Sequence, residues 1–581
     1  MTFAADTSEA ARQNLRVWIE IEGPFTASKL ILRFPRWVPG SYMIRDPIQF
    51  VNSIQVSSNG MHLDHKRIDV DGLSIKLNQD TTKVLIEYNL LAAMLSVRST
   101  HLDETHLHLM PPFTWFLPTS GIDMQRMEMS HRVSLNCPQG WSAATQLSGE
   151  NLEFRAEGRD ELLDGIIELN SNPTHTWIVE GKTHHLRLWD EGGISIPQEG
   201  VQRFIEKATM IIKEHHATFG IPDWDNYVTI LHLTNSARGG LEHLRSQTSM
   251  MPRNCLWKGD QEHWLDLISL FSHEFVHLWN VKRLRPSNMI EYDLSKETHS
   301  DLLWWFEGGT SWIGDLICLR SGAWSEEDWR KDWLRKMKRY TDASGIEVES
   351  LTESSHDAWI HLYRPNAHSR ETQISYYNEG EIAIFCLDAE MRKRSSGKIG
   401  VDDIMVEAWK RHGIDNGGQG IKDEDLRRIL TSMSGCRNLG NTYDELFKSK
   451  GAPPIEQAFN DLGLELIPDI KEDSKGDGWL GLELAKRDGR VTLRRFLANS
   501  PCREVMQPGD EIIAIEGIRI TDSSLVNKII KPKFGQEIEL TIARGGVIDT
   551  RTVNVGTKPM HNVKVNGKGN ILWKRTISSK Q

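Results

Sequence analysis

The 581-residue sequence predicts a multidomain α+β protein, and three observations predict it. Up to about residue 172, short stretches alternate apolar and polar residues with no long helical pattern between them. From about 173 to 466 the pattern becomes mixed and then mostly helical. After a polar, glycine-containing stretch at 470–478, strands and turns resume. The composition, 39% hydrophobic with 20 Trp, is ample for several cores.

The first unit, 1–172, reads as an N-terminal β-sandwich. Its clearest strands lie at 15–21, 29–34, 51–56 and 83–88; in the first, Leu15, Val17, Ile19 and Ile21 alternate with Arg16, Trp18 and Glu20. The segment 35–46, with Pro35, Trp37, Pro39, Gly40 and Tyr42, reads first as a turn packed by aromatics, and alternatively as part of a substrate cleft.

The middle unit, 173–466, opens with an amphipathic helix at 201–212 and a strand at 227–233 that leads into the pair Gly239-Gly240. Such a pair lets backbone approach a ligand closely. Next comes one HExxH, from His273 to His277. Histidines four apart on a helix share a face and can direct two imidazoles at one metal ion, and Glu274 then lies beside that metal. A carboxylate there can take a proton from metal-activated water and return it to a leaving amine, so the motif is a device for peptide hydrolysis. Trp264, Leu267, Phe271, Phe275 and Trp279 surround the helix, which should therefore be buried. A third protein ligand is expected downstream, and Glu307, set after Leu302, Leu303, Trp304, Trp305 and Phe306, is the candidate. The cluster Lys282 to Arg285 reads as capping the helix end or orienting nearby carboxylates.

A net charge of −11 excludes sequence-independent nucleic-acid binding. Six scattered cysteines give no disulfide framework. No signal-peptide pattern and no run of 18 apolar residues is present, so with Met1 as the start the reading is a cytoplasmic protein with no membrane partner.

These segments resemble the PDZ-bearing glycyl aminopeptidase family of gluzincin-type zinc metallopeptidases. The likeness rests on His273 to Pro286, on Trp304 to Gly308, on Arg238 to His243 and on Ser375 to Gly380. It implies a thermolysin-like catalytic domain with one zinc held by His273, His277 and Glu307, and Glu274 as general base. It implies that Gly239, Gly240 and Glu242 bind substrate, Glu242 holding the free N-terminal amine that makes an exopeptidase count from the chain end. By alignment on Gly380 it gives Tyr377 as donor to the oxyanion. The chain departs from the pattern at Glu379, where relatives usually have Lys, which puts the charge beside Tyr377 in question. Residues 467–556 resemble a PDZ domain, whose carboxylate-binding loop would be Gly478, Trp479, Leu480, Gly481 and Leu482 and whose partner would be a peptide C-terminus. Residues 557–581 read as a polar, basic tail, mobile until a partner orders it.

The implied activity is removal of small N-terminal residues, Gly or Ala, from peptides with a free N-terminus. Two other readings stay open: a zinc endopeptidase that captures substrate C-termini through the PDZ-like domain, and a non-catalytic peptide-binding scaffold.

Overall fold

Alternation along the first 170 residues produces strands with one buried face. In the computed structural model, which describes residues 1–468, 476–557 and 563–580, Leu15, Val17, Ile19 and Ile21 are all buried in the strand Asn14–Glu22. That strand lies between Thr2–Glu9 and Lys83–Leu91, antiparallel to both, with Ile19 opposite Phe3 on one side and Ile86 on the other. They form the centre of an eight-stranded sheet. Two four-stranded sheets, built around Lys29–Arg33 and around His106–Leu109, add Leu30, Leu32, Leu107 and Leu109 to the same core. The N-terminal unit is thus β-rich, and the middle unit is largely helical.

The middle unit starts as a five-stranded sheet in the spatial order Thr174–Val179, Lys182–Asp190, Asn226–Thr234, Ser246–Pro252, Gly239–Glu242. The central three strands are parallel, and the helix Gln198–Phe219 crosses between the first two of them. Gly239–Glu242 runs antiparallel along the edge, so one side of its backbone has no strand partner. The helix Gln261–Val276 packs against Thr310–Arg320 so closely that a Cβ at Gly314 would stand 3.1 Å from the His273 amide nitrogen.

One buried carboxylate joins the two units. Glu168, fully buried on the strand Ile167–Asn170, accepts from His106 Nδ1 (2.9 Å), His108 Nδ1 (3.1 Å) and Asn170 Nδ2 (3.0 Å), and from His232 Nε2 of the catalytic sheet (2.9 Å). A carboxylate without water needs several donors, and four are supplied. Trp189, also from the catalytic sheet, stacks on His106 at 3.6 Å.

The PDZ-like unit has its own core, built from strands Leu482–Arg487, Arg490–Phe496, Glu511–Ile515, Glu537–Arg544 and Val547–Asn554 with the helix Ser523–Ile530. Most of the expected linker, 470–475, lies outside the described residues.

The tail departs from expectation. Val563–Asn566 pairs antiparallel with Glu465–Pro468 of the catalytic unit, and the helix Ile571–Thr576 seats Trp573, fully buried, against Trp329. The Trp573 indole N–H donates to Glu326 at 3.1 Å, Arg320 Nε donates to the Thr576 carbonyl, and Lys580 pairs with Asp402 at 2.6 Å. Described residues 563–580 are therefore packed, not mobile. The polar average of this segment hid two apolar anchors, Val565 and Trp573, and its lysine charge is met by a buried acid. All six cysteines are free, and among the described residues no helix is long and apolar enough to cross a membrane.

Trp573→Ala should destabilise the catalytic unit by about 3–5 kcal/mol, the usual cost of deleting a buried tryptophan. Denaturant unfolding followed by tryptophan fluorescence measures it, and an unchanged midpoint would show that the terminal helix contributes nothing.

Candidate active site

The helix Gln261–Val276 is apolar on nearly every side; its last turn carries His273, and His277 caps its C-terminus. His273 Nε2 and His277 Nε2 stand 3.1 Å apart, each 3.5 Å from Glu307 Oε2. His277 Nδ1 donates to the Asn280 carbonyl at 2.8 Å, which leaves its Nε2 facing the cluster. His273 Nδ1 lies 3.2 Å from the Ser311 hydroxyl.

Glu307 comes from a π-helical segment, Trp304–Gly309, that runs into the helix Thr310–Arg320. The wider winding turns the carboxylate toward the histidines and displaces carbonyls from the usual ladder. Asn280 Nδ2 donates to the Trp305 carbonyl (3.2 Å), and the Thr310 hydroxyl takes the Phe306 carbonyl (2.7 Å). The segment also needs Gly308, where a Cβ would lie 2.7 Å from the Gly380 Cα of the helix Asn378–Arg394.

A second triad shares His277. Ligand atoms of Glu242, Glu274 and His277 all lie within 4.8 Å of one another, as do those of His273, His277 and Glu307. Glu274 is buried, and its Oε2 has no hydrogen-bond partner among the described residues. Burial pushes the Glu274 carboxyl up to about 8; Glu242 and Glu307 add to the shift and His277 opposes it. Burial works against charge on His277, yet Glu242 and then Glu307 raise it to about 10. Three carboxylates around two imidazoles make a negative, partly dry pocket suited to a divalent cation.

The edge strand Gly239–Glu242 forms one wall. A Cβ on Gly240 would come within 1.8 Å of Glu274 Oε1, so glycine is required for the strand to pass the carboxylate. Glu242 is buried at the far end of the strand, and its carboxylate makes no hydrogen bond to a described residue. The N-terminal unit reaches this point too: a Cβ on Gly40 would lie 2.6 Å from Glu242 Oε1. The segment 35–46 therefore both packs, with Trp37 against Trp359 at 5.2 Å, and lines the cleft.

Tyr377 lines the cleft at the start of the helix Asn378–Arg394, its ring 6.3 Å from that of His273 and its hydroxyl 3.2 Å from that of Tyr363. Glu379 makes no hydrogen bond to that hydroxyl among the described residues. Its Oε2 accepts from the Ser375 amide at 2.9 Å, tying it to the helix start, where negative charge is favourable.

The structure thus gathers His273, Glu274, His277, Glu307, Gly239, Gly240, Glu242 and Tyr377 in one cleft. It does not bring Gly478, Trp479, Leu480, Gly481 or Leu482 there. These lie in the PDZ-like unit, where Gly478 and Trp479 pair with Gly556–Thr557 and Gly481 takes a φ of +68°. That unit reaches the cleft through Arg495.

Sequence reasoning assigned no role to Asp164, Tyr363 or Arg98. Asp164 accepts from the Leu244 amide, from Lys282 Nζ (2.7 Å) and from His243 (3.2 Å), and so fixes the turn after Glu242. Lys282 thereby orients a carboxylate, as its position after the motif suggests, while Arg283 caps the Leu278 carbonyl at 2.7 Å.

Residues 2–168 match the Peptidase M61 N-terminal domain, 266–383 match M61 glycyl aminopeptidase, and 478–555 match a PDZ domain. Comparison with curated proteins gives no match. Among solved structures, an aminopeptidase N family protein from Idiomarina loihiensis is 22% identical with a TM-score of 0.91, over 99% of this chain and 100% of that one, so the two share a fold. An M1 zinc metallopeptidase from Deinococcus radiodurans is 14% identical with a TM-score of 0.43, over 78% and 94%, too distant for inference.

Gly240→Ala should cost about 1–3 kcal/mol of stability by overpacking against Glu274, whereas Gly239→Ala, whose Cβ meets Val97 at an ordinary 3.4 Å, should cost under about 0.5 kcal/mol. Paired denaturant curves test the difference; equal costs would show that the strand is free to move away from the carboxylate.

Proposed function

We infer, because this chain is a member of the M61 glycyl aminopeptidase family, that it is a zinc-dependent aminopeptidase removing small N-terminal residues, Gly or Ala, from peptides. The observation that carries the reading is the pair of triads sharing His277, one fit for a cation and the other offering two carboxylates to substrate.

The residues suit zinc. Atoms about 2.0–2.1 Å from a tetrahedral ion stand roughly 3.3 Å from one another. The separations of 3.1 and 3.5 Å among His273, His277 and Glu307 fit that spacing, while 3.5 Å is long for a hydrogen bond. When bound, zinc supplies Lewis acidity and a water of lowered pKa.

The chain's own residues do the rest. Glu242 takes the substrate ammonium, an interaction an internal peptide bond cannot satisfy. Glu274, with an oxygen unpartnered among the described residues and a raised affinity for protons, accepts a proton from the attacking water and passes it to the leaving amine. Tyr377 donates its hydroxyl to the developing oxyanion, with Tyr363 holding it in place. Gly240 keeps the edge strand close enough for the substrate backbone to lie along it. Glu242, which lines the cleft and has no hydrogen-bond partner among the described residues, favours the aminopeptidase over the endopeptidase.

Zinc-loaded enzyme should cleave free glycyl and alanyl arylamides and leave their N-acetylated forms intact, and a chelator should abolish the activity. Cleavage of the acetylated substrates would refute the role of Glu242. Glu274→Gln should keep zinc by elemental analysis while losing roughly 10²–10⁴ in kcat, Tyr377→Phe should lose roughly 10²–10³, and His277→Ala should lose the ion itself. Full turnover in Glu274→Gln would sink the mechanism.

A further inference from the structure

We propose that Arg98, from the N-terminal unit, forms a subsite for a substrate carboxylate, which selects short peptides whose C-terminus reaches it. The inference rests on the aminopeptidase reading and adds the substrate class.

The cleft lies in a chain of net charge −11, and most of its cations are already neutralised. Arg238, Arg335, Lys336, Lys338, Arg370 and Arg495 each bond a carboxylate. Arg98 has no carboxylate partner among the described residues. Its Nη2 stands 3.5 Å from the Gly240 carbonyl, and its Nε is buried without a bond. Arg339 also lacks such a partner, but it is exposed at the rim.

Arg98 therefore lines the cleft with guanidinium hydrogen-bonding capacity left over, which a planar anion would complete.

The edge strand sets the distance from the amine. Gly240 and Glu242 are two residues apart on an extended strand, and each residue spans about 3.3 Å. A peptide with its amine at Glu242, lying along this strand, brings a carboxylate to Arg98 after two or three residues. Fork-shaped guanidinium groups suit that planar anion.

The test compares kcat/KM of the full-length zinc enzyme for Gly-Gly-Gly, Gly-Gly-Gly-amide and Gly-Gly-Asp-amide. The acid should exceed the plain amide by roughly 10- to 100-fold, the effect of a charged hydrogen-bonded pair. In Arg98→Gln the ratio should fall toward one, and Arg98→Lys should restore part of it. Because the ratio is taken within each variant, loss of folded protein cancels. Good cleavage of Gly-Gly-Asp-amide would show that a side-chain carboxylate also fits the subsite. Equal rates for all three peptides in the unmodified enzyme would overturn the proposal. Calorimetric binding of the acid and the plain amide to Glu274→Gln reads the same preference without turnover. A protein that binds the acid more tightly and cleaves nothing would therefore count against the aminopeptidase reading alone.

Discussion

At four places around the cleft a single added carbon would collide with the machinery. A Cβ on Gly240 would strike Glu274, one on Gly40 would strike Glu242, one on Gly308 would strike the Gly380 backbone, and one on Gly314 would crowd the His273 amide. Each contact sets backbone against a functional side chain or against the helix that carries one. The cluster therefore owes its geometry to close steric approach of main chain to functional side chains and to neighbouring main chain, which tolerates little drift because packed interiors deform poorly. The π-helical segment at Trp304–Gly309 belongs to the same arrangement, since Glu307 can point at the histidines only while Gly308 lies flat on Gly380.

That geometry concentrates negative charge in a pocket with little water. Glu242, Glu274 and Glu307 share His277 among them; burial first, and then the neighbouring carboxylates, raise the affinity of Glu274 for protons, while Glu242 and Glu307 favour charge on His277. The N-terminal unit is part of this balance, not an appendage to it. Asp164 fixes the turn after Glu242, Gly40 backs Glu242 itself, and the Glu168 hub holds the two units in register through His232.

The parts legible in the sequence are those encoded locally. A four-residue histidine spacing, a glycine pair after an apolar strand and a glutamate among tryptophans each carry their meaning within a dozen residues. So does strand alternation, as in Leu15 to Ile21. Asp164, Tyr363 and Arg98 were illegible because their significance comes from partners 80, 14 and 142 residues away, and no spacing rule connects Asp164 to Leu244 or Arg98 to Gly240. The tail misled for another reason. Its average polarity is genuine, but the segment is anchored by two buried apolar residues, Val565 and Trp573, and an average conceals such anchors.

The ribbon formed by Glu465–Pro468 and Val563–Asn566 changes what the PDZ domain is in topological terms. Pro468 and Val563 face each other in antiparallel register, so the chain leaves the catalytic unit and re-enters it at adjacent points. The whole PDZ domain thus occupies the place that a hairpin turn would fill. It is an insertion within a single folding unit that closes only when the C-terminus returns. A polypeptide ending after the PDZ domain would lack the last strand and Trp573 of its catalytic body, whereas one with a short turn joining the two strands would retain them.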